Sequence, residues 1–315
     1  MTDSSSSIGD HIPVMGGEVM DALRLSGSDC VVDATYGRGG HSREIMSRLS
    51  EQGRLIVIDR DVAAISAAQE EWGDDERVDI VHGPFSELSG ILGARGLIGK
   101  VTALLFDFGV SSPQLDNGER GFSFMHDGPL DMRMDQSRGV SAADWIKRIE
   151  EEELVRVLKK YGEERFAKRI ARGIKTALLQ REITTTAVLA AIVSEAIPTK
   201  EPGKHPATRT FQAIRIAVND ELGEIELVLP QALEAVSPGG RIVMISFHSL
   251  EDRLVKRYFN EQSKGDPFPP DMPITNDMLK PKLKLISKRI KAGKQELDRN
   301  RRSRSAVMRV AEKEA

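Results

Sequence analysis

The stretch VVDATYGRGGHS, residues 31–42, is a short apolar run that ends at an aspartate and then breaks into glycines. Apolar on both faces and stopped by a glycine turn, CVVDAT (30–35) reads as a buried strand. The segment SREIMSRLSEQG (42–53) reads as a helix with Ser42 as its cap, Ile45, Met46 and Leu49 on one face, and Gly53 as its stop. A glycine turn between two such elements lets the backbone approach a ligand closely. The helix that follows presents unpaired N–H groups to an anion.

Outward from that turn the same pattern repeats. LIVIDRD (55–61) is a second buried strand ending in acid, VAAISAAQEEW (62–72) a helix, and VDIVHGPF (78–85) a third strand. SELSGILGARG (86–96) is a helix, and VTALLFDFGVSS (101–112) a fourth strand that again meets an aspartate. Four alternations of apolar strand and helix predict an α/β fold, a doubly wound parallel sheet. Upstream, HIPVMGGEVMDALRL (11–25) has helical spacing at Val19, Leu23 and Leu25, and the serine-rich first ten residues read as a mobile lead-in.

For about a hundred residues the alternation then stops. Residues 141–179 and TTTAVLAAIVSEAI (184–197) are helical in pattern, and the polar loop PTKEPGKHPATRT (198–210) closes the region. This predicts an all-helical domain, 121–211, inserted into a sheet domain made of 1–120 and 212–315. One helix is expected over 213–236, with Ile214, Val218, Leu222, Ile225, Leu229, Leu233 and Val236 on one stripe. SPGG stops it. RIVMISF (241–247) is a fifth strand, SLEDRLVKRYFNEQ (249–262) a helix, and KLKLISK with SAVMRVA a closing hairpin.

Of the 315 residues, 40% are hydrophobic and 30% charged, which is a globular composition. The single cysteine, Cys30, excludes an internal disulfide and a cysteine metal cluster and fits a reducing cytoplasm. No secretory signal and no bilayer-length apolar run is present, so a cytoplasmic protein without a membrane partner is expected. None of the six histidines shows metal-ligand spacing, so no metal is expected. The net charge of −3 hides two basic blocks: nine Lys/Arg against two acids over 155–181, and thirteen against three over 280–313. They are either a localised polyanion contact or two solvated faces.

The glycine turn matches the dinucleotide fingerprint G-x-G-x-x-G at 37 and 39 but has Ser at 42. Asp59, twenty residues beyond Gly39, suits a ribose diol and is compatible with NAD. Asp33 favours another ligand. A pyrophosphate beside it would be repelled by several kcal/mol at an effective dielectric of about 20. S-adenosylmethionine has no phosphate, and its sulfonium and ammonium groups complement an acid before the turn. Asp107 adds a third acid on the same sheet edge.

Longer motifs carry a more specific signal. HIPVMGGEV, DATYGRGGHS, VHGPFSEL, FDFGVSSPQLD with RGFSF and GPLDMRMD, YGEERFAKRIARGI, KHPATRTFQAIRIAVNDEL and PGGRIVMISFHSLEDRLVKRYF together cover most of 11–260. With SRSAVMRV near the C-terminus, they make this sequence closely similar to the bacterial 16S ribosomal RNA (cytosine-N4)-methyltransferases. The resemblance implies a class I S-adenosylmethionine-dependent methyltransferase domain, Rossmann-like, with an inserted helical substrate-recognition domain. It implies a cytidine of the decoding centre of 16S ribosomal RNA, within the small ribosomal subunit, as acceptor. Gly39, Gly40 and His41 would line the methionine end of the cofactor, Asp59 would hold the ribose, Phe85 would pack on adenine, Asp107 would sit beside the reacting end, and Gln114 would close over it.

Transfer to an exocyclic amine needs an acceptor for an amine hydrogen. The Asp/Asn/Ser-Pro-Pro-aromatic motif that many amino-methyltransferases use is replaced here by DFGVSSP (107–113), so Asp107 or carbonyls of the 109–113 loop are the candidates. His248 and Ser249 are second candidates, or else shape the pocket or contact RNA. For RNA, the Lys159–Lys175 face with Lys168, Arg169 and Arg172, the loop from His205 to Arg209, and the C-terminal arginines are expected to grip phosphates. A homodimer is left open. The rival readings are an NAD-dependent oxidoreductase, a methyltransferase of DNA or small molecules, and a non-catalytic RNA-binding module.

Overall fold

A computed structural model describes residues 13–199, 203, 205–265 and 279–315. The serine-rich lead-in and part of the polar loop before His205 lie outside these residues. The chain divides into two compact units, one built from 1–109 and 224–315, the other from 110–223. The divisions fall at 109/110 and 223/224, where the sequence pattern alone placed them at 120/121 and 211/212.

The first unit is built on a seven-stranded sheet in the order β3-β2-β1-β4-β5-β7-β6. Strands β1 (Cys30–Asp33), β2 (Arg54–Asp59), β3 (Val78–His82), β4 (Val101–Asp107) and β5 (Val236–Ser246) run parallel. β7 (Val307–Lys313) is antiparallel to both β5 and β6 (Leu283–Ile290), which is the predicted hairpin. The first helices are α1 (Gly16–Leu23), α2 (Gly40–Met46), α3 (Val62–Trp72) and α4 (Leu88–Gly93). β1, β2 and β4 are buried on both faces, as near-continuous Val/Ile/Leu runs must be when helices cover a parallel sheet. β3, at the sheet's edge, is only half-buried, and its Asp79 is held by Arg95 and Arg54. Leu23, Val31, Ile45, Leu55, Leu105 and Val243 belong to one apolar core.

Helices α5 (Ser112–Asp116), α6 (Ala142–Arg148), α7 (Glu151–Gly162), α8 (Ala167–Leu178), α9 (Thr186–Ala196) and α10 (Thr208–Asn219) make up the second unit. α7 opens on Glu151, Glu152 and Glu153 and closes on Lys159 and Lys160, a charge order that complements its dipole. Leu154, Leu158, Ile170, Ile174, Leu189, Val193, Phe211 and Ile214 form the core of this unit. Gly162 is required at its place, because a Cβ there would come 2.6 Å from the Arg209 carbonyl.

The helix expected over 213–236 is two helices. α10 ends at Asn219, and α11 (Glu221–Ala235) starts after Asp220, which takes a left-handed conformation with φ 49°. Asn219 is buried: its Nδ2 donates to the Met132 carbonyl at 2.7 Å, and its Oδ1 accepts from the Met134 N–H at 2.8 Å. That inward polar link holds the end of α10 where a continuous apolar stripe would have run on. SPGG is likewise no separate stop, since β5 starts at Val236 and its register against β4 shifts between Val101 and Ala103. α12 (Ser249–Gln262) follows β5, and α13 (Lys294–Arg299) lies between the two hairpin strands. No helix among the described residues is long and apolar enough to cross a membrane.

Candidate active site at the carboxyl edge of the sheet

Parallel α/β sheets bind ligands at the carboxyl ends of their strands, where the strand order reverses. Here the reversal lies between β1 and β4, and Asp33, Asp59 and Asp107 are the terminal residues of β1, β2 and β4. The turn after β1 is tied down on both sides: the Ala34 N–H donates to Leu105 O at 3.0 Å and the Tyr36 N–H to Ile58 O at 3.1 Å. Gly37 and Gly39 have φ of 55° and 71°, and a Cβ on Gly39 would lie 2.5 Å from the Tyr36 hydroxyl. That hydroxyl donates to Glu71 at 3.0 Å, and Arg43 reaches the same carboxylate.

Ser42 does not cap α2. Gly39 is the N-cap, so Ser42 falls inside the first turn, fully buried, and its Oγ donates to Asp33 Oδ2 at 2.7 Å. Asp33 Oδ1 accepts the Thr35 N–H at 3.2 Å. The Asp33 carboxylate is thus turned into the protein, 1% exposed, and burial raises its pKa against the opposing pull of His41 and Ser42. Its part is to fasten strand to helix beneath the turn, rather than to face a ligand as the motif alone suggested. Thr35, which sequence reasoning passed over, links two of the three acids, because its Oγ1 also accepts the Asp107 N–H at 2.7 Å. Asp33 ahead of the turn is an Asx-turn signal for the Thr35 N–H, but the Thr35 bond to Asp107 spans 72 residues and leaves no local mark.

Asp59 accepts two backbone donors, Gly37 N–H on Oδ2 and Asp61 N–H on Oδ1, each at 2.8 Å. Burial outweighs those bonds and lifts its pKa to about 6. Each of its oxygens keeps a lone pair for a hydroxyl donor. Asp107 Oδ2 lies 3.7 Å from His41 Nε2, and Asp107 Oδ1 is buried without a hydrogen-bond partner among the described residues. Neither ring nitrogen of His41 makes a hydrogen bond there. Burial lowers the pKa of His41, but the pull of Asp107, then Asp33 and Glu44, prevails and leaves it raised. Phe85 sits against Phe106 edge-on at 5.8 Å and against Phe108 at 5.6 Å, so its ring is held in an aromatic cluster beside the end of β4.

His248 is the N-cap of α12, and its Nε2 lies 3.1 Å from Glu251 Oε1. Glu251 Oε2 accepts the His248 N–H at 3.2 Å, closing a capping box legible in the His-x-x-Glu spacing, and also the Phe247 N–H at 2.7 Å. Capping uses His248 Nδ1, which accepts the Glu251 N–H at 3.5 Å, while Nε2 makes no hydrogen bond among the described residues. In the helical unit, Gln114 Oε1 accepts the Ser111 N–H at 2.9 Å in the capping box of α5. Lys168, Arg169 and Arg172 share the exposed face of α8, opposite buried Ile170, Ala171 and Ile174. Lys175 leaves that face, donating to the Ile146 carbonyl at 2.9 Å, and burial lowers its pKa. His205 is exposed just before α10, where Arg209 is half-buried. Of the C-terminal arginines, Arg309 is committed to Asp252 at 2.7 Å.

The donors and acceptors left open at the sheet edge discriminate between ligands. Two of its acids, Asp59 and Asp107, keep acceptor capacity, and a buried carboxylate oxygen stands without a donor among the described residues. That suits a cation and a ribose, and opposes a pyrophosphate. The sheet differs from the dinucleotide order 3-2-1-4-5-6 by one antiparallel strand set between β5 and the final edge strand. The fold is the Rossmann-like α/β fold of class I S-adenosylmethionine-dependent methyltransferases.

Comparison with known proteins narrows this class. The chain belongs to the MraW methylase family, whose model matches residues 9–314. It is 51% identical over 304 residues to ribosomal RNA small subunit methyltransferase H of Dechloromonas aromatica (strain RCB), covering 96% of this chain and 98% of that one. It is equally 51% identical, over 305 residues, to the protein of the same name from Alteromonas mediterranea, covering 96% and 97%.

Proposed function

We propose that this protein transfers the methyl group of S-adenosylmethionine to N4 of a cytidine in the decoding centre of 16S ribosomal RNA, within the small ribosomal subunit. The observation that carries the catalytic part is the Asp107 carboxylate at the end of β4, held beside His41 with one oxygen undonated. The names of the relatives support the RNA class, and the sequence resemblance supports the base and the atom.

S-adenosylmethionine supplies a methyl group on a positively charged sulfur. The residues of this chain do the rest. Asp59 accepts from the ribose hydroxyls with the lone pairs its two backbone donors leave open. Phe85 packs against adenine, its ring angle set by Phe106 and Phe108. Gly39, whose Cβ would meet the Tyr36 ring, lets the turn take its left-handed bend and would present its backbone to the methionine end, and Gly40 and His41 begin the helix whose N–H groups would meet the carboxylate.

The cytosine amine is a weak nucleophile because its lone pair is delocalised into the ring. Alignment of the reacting atoms can supply up to ~7–11 kcal/mol. Asp107, with Oδ2 3.7 Å from His41 Nε2, would accept a hydrogen bond from the amine as positive charge develops on nitrogen, and then the proton that the methylated amine gives up as the bond to sulfur breaks. The helical unit serves as the substrate-recognition domain, and the exposed Lys168, Arg169 and Arg172 face meets phosphates.

The test is tritiated methyl transfer onto small ribosomal subunits that lack the modification, followed by nucleoside analysis. Label in N4-methylcytidine supports the reading. Label in another nucleoside, or none, overturns it.

A further inference from the structure

The rings of Phe211, Phe124 and His205 form a ladder that runs from the core of the helical unit to its surface. Phe211 is buried in the core, at 4% exposure. Phe124 is half-buried and meets Phe211 edge-on, with ring centres 5.0 Å apart and planes at 81°. His205 is exposed and lies nearly parallel on Phe124, with ring centres 4.3 Å apart and planes at 24°.

The outermost ring is fixed from its own backbone as well. His205 Nδ1 accepts the Ala207 N–H at 3.2 Å, and the His205 carbonyl accepts both the N–H and the Oγ1 of Thr208 as α10 begins. With Nδ1 used as an acceptor, the proton of the neutral ring sits on Nε2. A surface histidine held by a ring below, a hydrogen bond at its edge and a helix start behind has lost its rotamer freedom before any ligand arrives. Such preorganised, flat, half-apolar surfaces are what unstacked bases pack on in single-stranded nucleic acids. An exposed loop histidine needing only solvation would require none of the three restraints.

We propose that His205 is a base-stacking residue, taking one unpaired nucleobase of the RNA substrate on its outer face, with Phe124 as its support. This rests on the RNA-methylation reading above. It adds a mode of recognition to the phosphate contacts on α8, since a π-face accepts any base whereas a cation reads only the backbone. A base taken out of its stack to reach an enzyme leaves neighbours that also need a surface, and an aromatic shelf gives one of them a place.

The experiment measures binding of the full-length protein to unmodified small ribosomal subunits by co-sedimentation, and KM and kcat for methyl transfer to them, for wild type, H205A, H205F and H205Q. Thermal melting and calorimetry with S-adenosylmethionine establish that each variant is folded and holds its cofactor. The expected result is a rise of about tenfold in Kd and KM for H205A with kcat little changed. H205F should recover near wild-type values. H205Q, which keeps a hydrogen-bond acceptor without the ring, should stay as weak as H205A. Wild-type affinity in H205A overturns the proposal, as does rescue by H205Q and not by H205F. If the wild type itself neither binds nor methylates the subunits, the RNA reading fails, and the stacking role fails with it.

Discussion

His41 Nε2 and Asp107 Oδ2 lie 3.7 Å apart at the carboxyl edge of the sheet, one on the first turn of α2, the other ending β4. In the proposed function the pair joins the turn that would receive the cofactor to the strand that would end at the reacting atoms. If Asp107 takes the amine hydrogen bond, Asp107→Asn should lower kcat at saturating cofactor by about a hundredfold or more, within the range for a positioned proton acceptor. Single-turnover methyl transfer measures this. Near-normal turnover would remove the side chain from that role.

The proposed role of Asp59 predicts a pH dependence of cofactor binding. The Asp59 pKa is raised from 3.8 to about 6, chiefly by burial, so the free folded protein holds this proton more tightly than the unfolded chain does. Folding stability contributed by Asp59 therefore falls as pH rises from 3.8 through about 6. If Asp59 is the ribose acceptor, its ionised form is the stronger one, and cofactor affinity should drop as pH is lowered through about 6. Asp59→Asn should bind about tenfold or more weakly at neutral pH, because the hydroxyls no longer meet a charged acceptor, and should not show that pH dependence. Calorimetric titration between mildly acidic and neutral pH checks both.

Ser42→Ala removes the side-chain hydroxyl that donates to the buried Asp33 carboxylate. Leaving such a group short of a partner should cost about 1–3 kcal/mol, read as a lowered melting temperature and denaturation midpoint. Gly39→Ala should be worse. It places a Cβ at φ 71° and within 2.5 Å of the Tyr36 hydroxyl, so cofactor binding should fall along with stability.

Neutralising Lys168, Arg169 and Arg172 together to Gln should weaken binding to the small subunit and flatten its dependence on salt. The slope should shrink by roughly 0.7 for each single-strand phosphate that these cations neutralise. Affinity for S-adenosylmethionine should be unchanged. Lys175→Met is the informative control: its amine bonds the Ile146 carbonyl, so it should shift stability and leave the salt slope alone. Equal salt slopes for the triple variant and wild type would rule out phosphate binding on this face.

The sheet was legible because its strands are too apolar to be exposed and most are followed by a helix-period segment; β1 to β4 and the closing hairpin fall close to where the pattern put them, while β5 starts five residues earlier, at Val236. The break at Asp220 was not, since Asn219 leaves the apolar stripe to satisfy the Met132 and Met134 backbone, a partnership about 85 residues distant that periodicity cannot register. The three strand-ending aspartates were found from position alone. Their division of labour was hidden, because it depends on which carboxylate the fold buries: Asp33 binds Ser42, Asp59 secures Gly37, and Asp107 keeps an oxygen undonated. Lys175 shows the same limit on the helical unit, where one cation of a uniform basic block turns inward to a carbonyl.

In the proposed reading, carboxylates at this sheet edge would select a sulfonium donor over a phosphate-bearing dinucleotide, and the roles assigned to Asp59 and Asp107 depend on that selection. Isothermal calorimetry of the full-length protein with each ligand in turn tests it most directly. S-adenosylmethionine should give saturable heat at one site per chain and NAD none, with Asp59→Asn reducing the former. Saturable NAD binding that S-adenosylmethionine cannot displace would contradict the account.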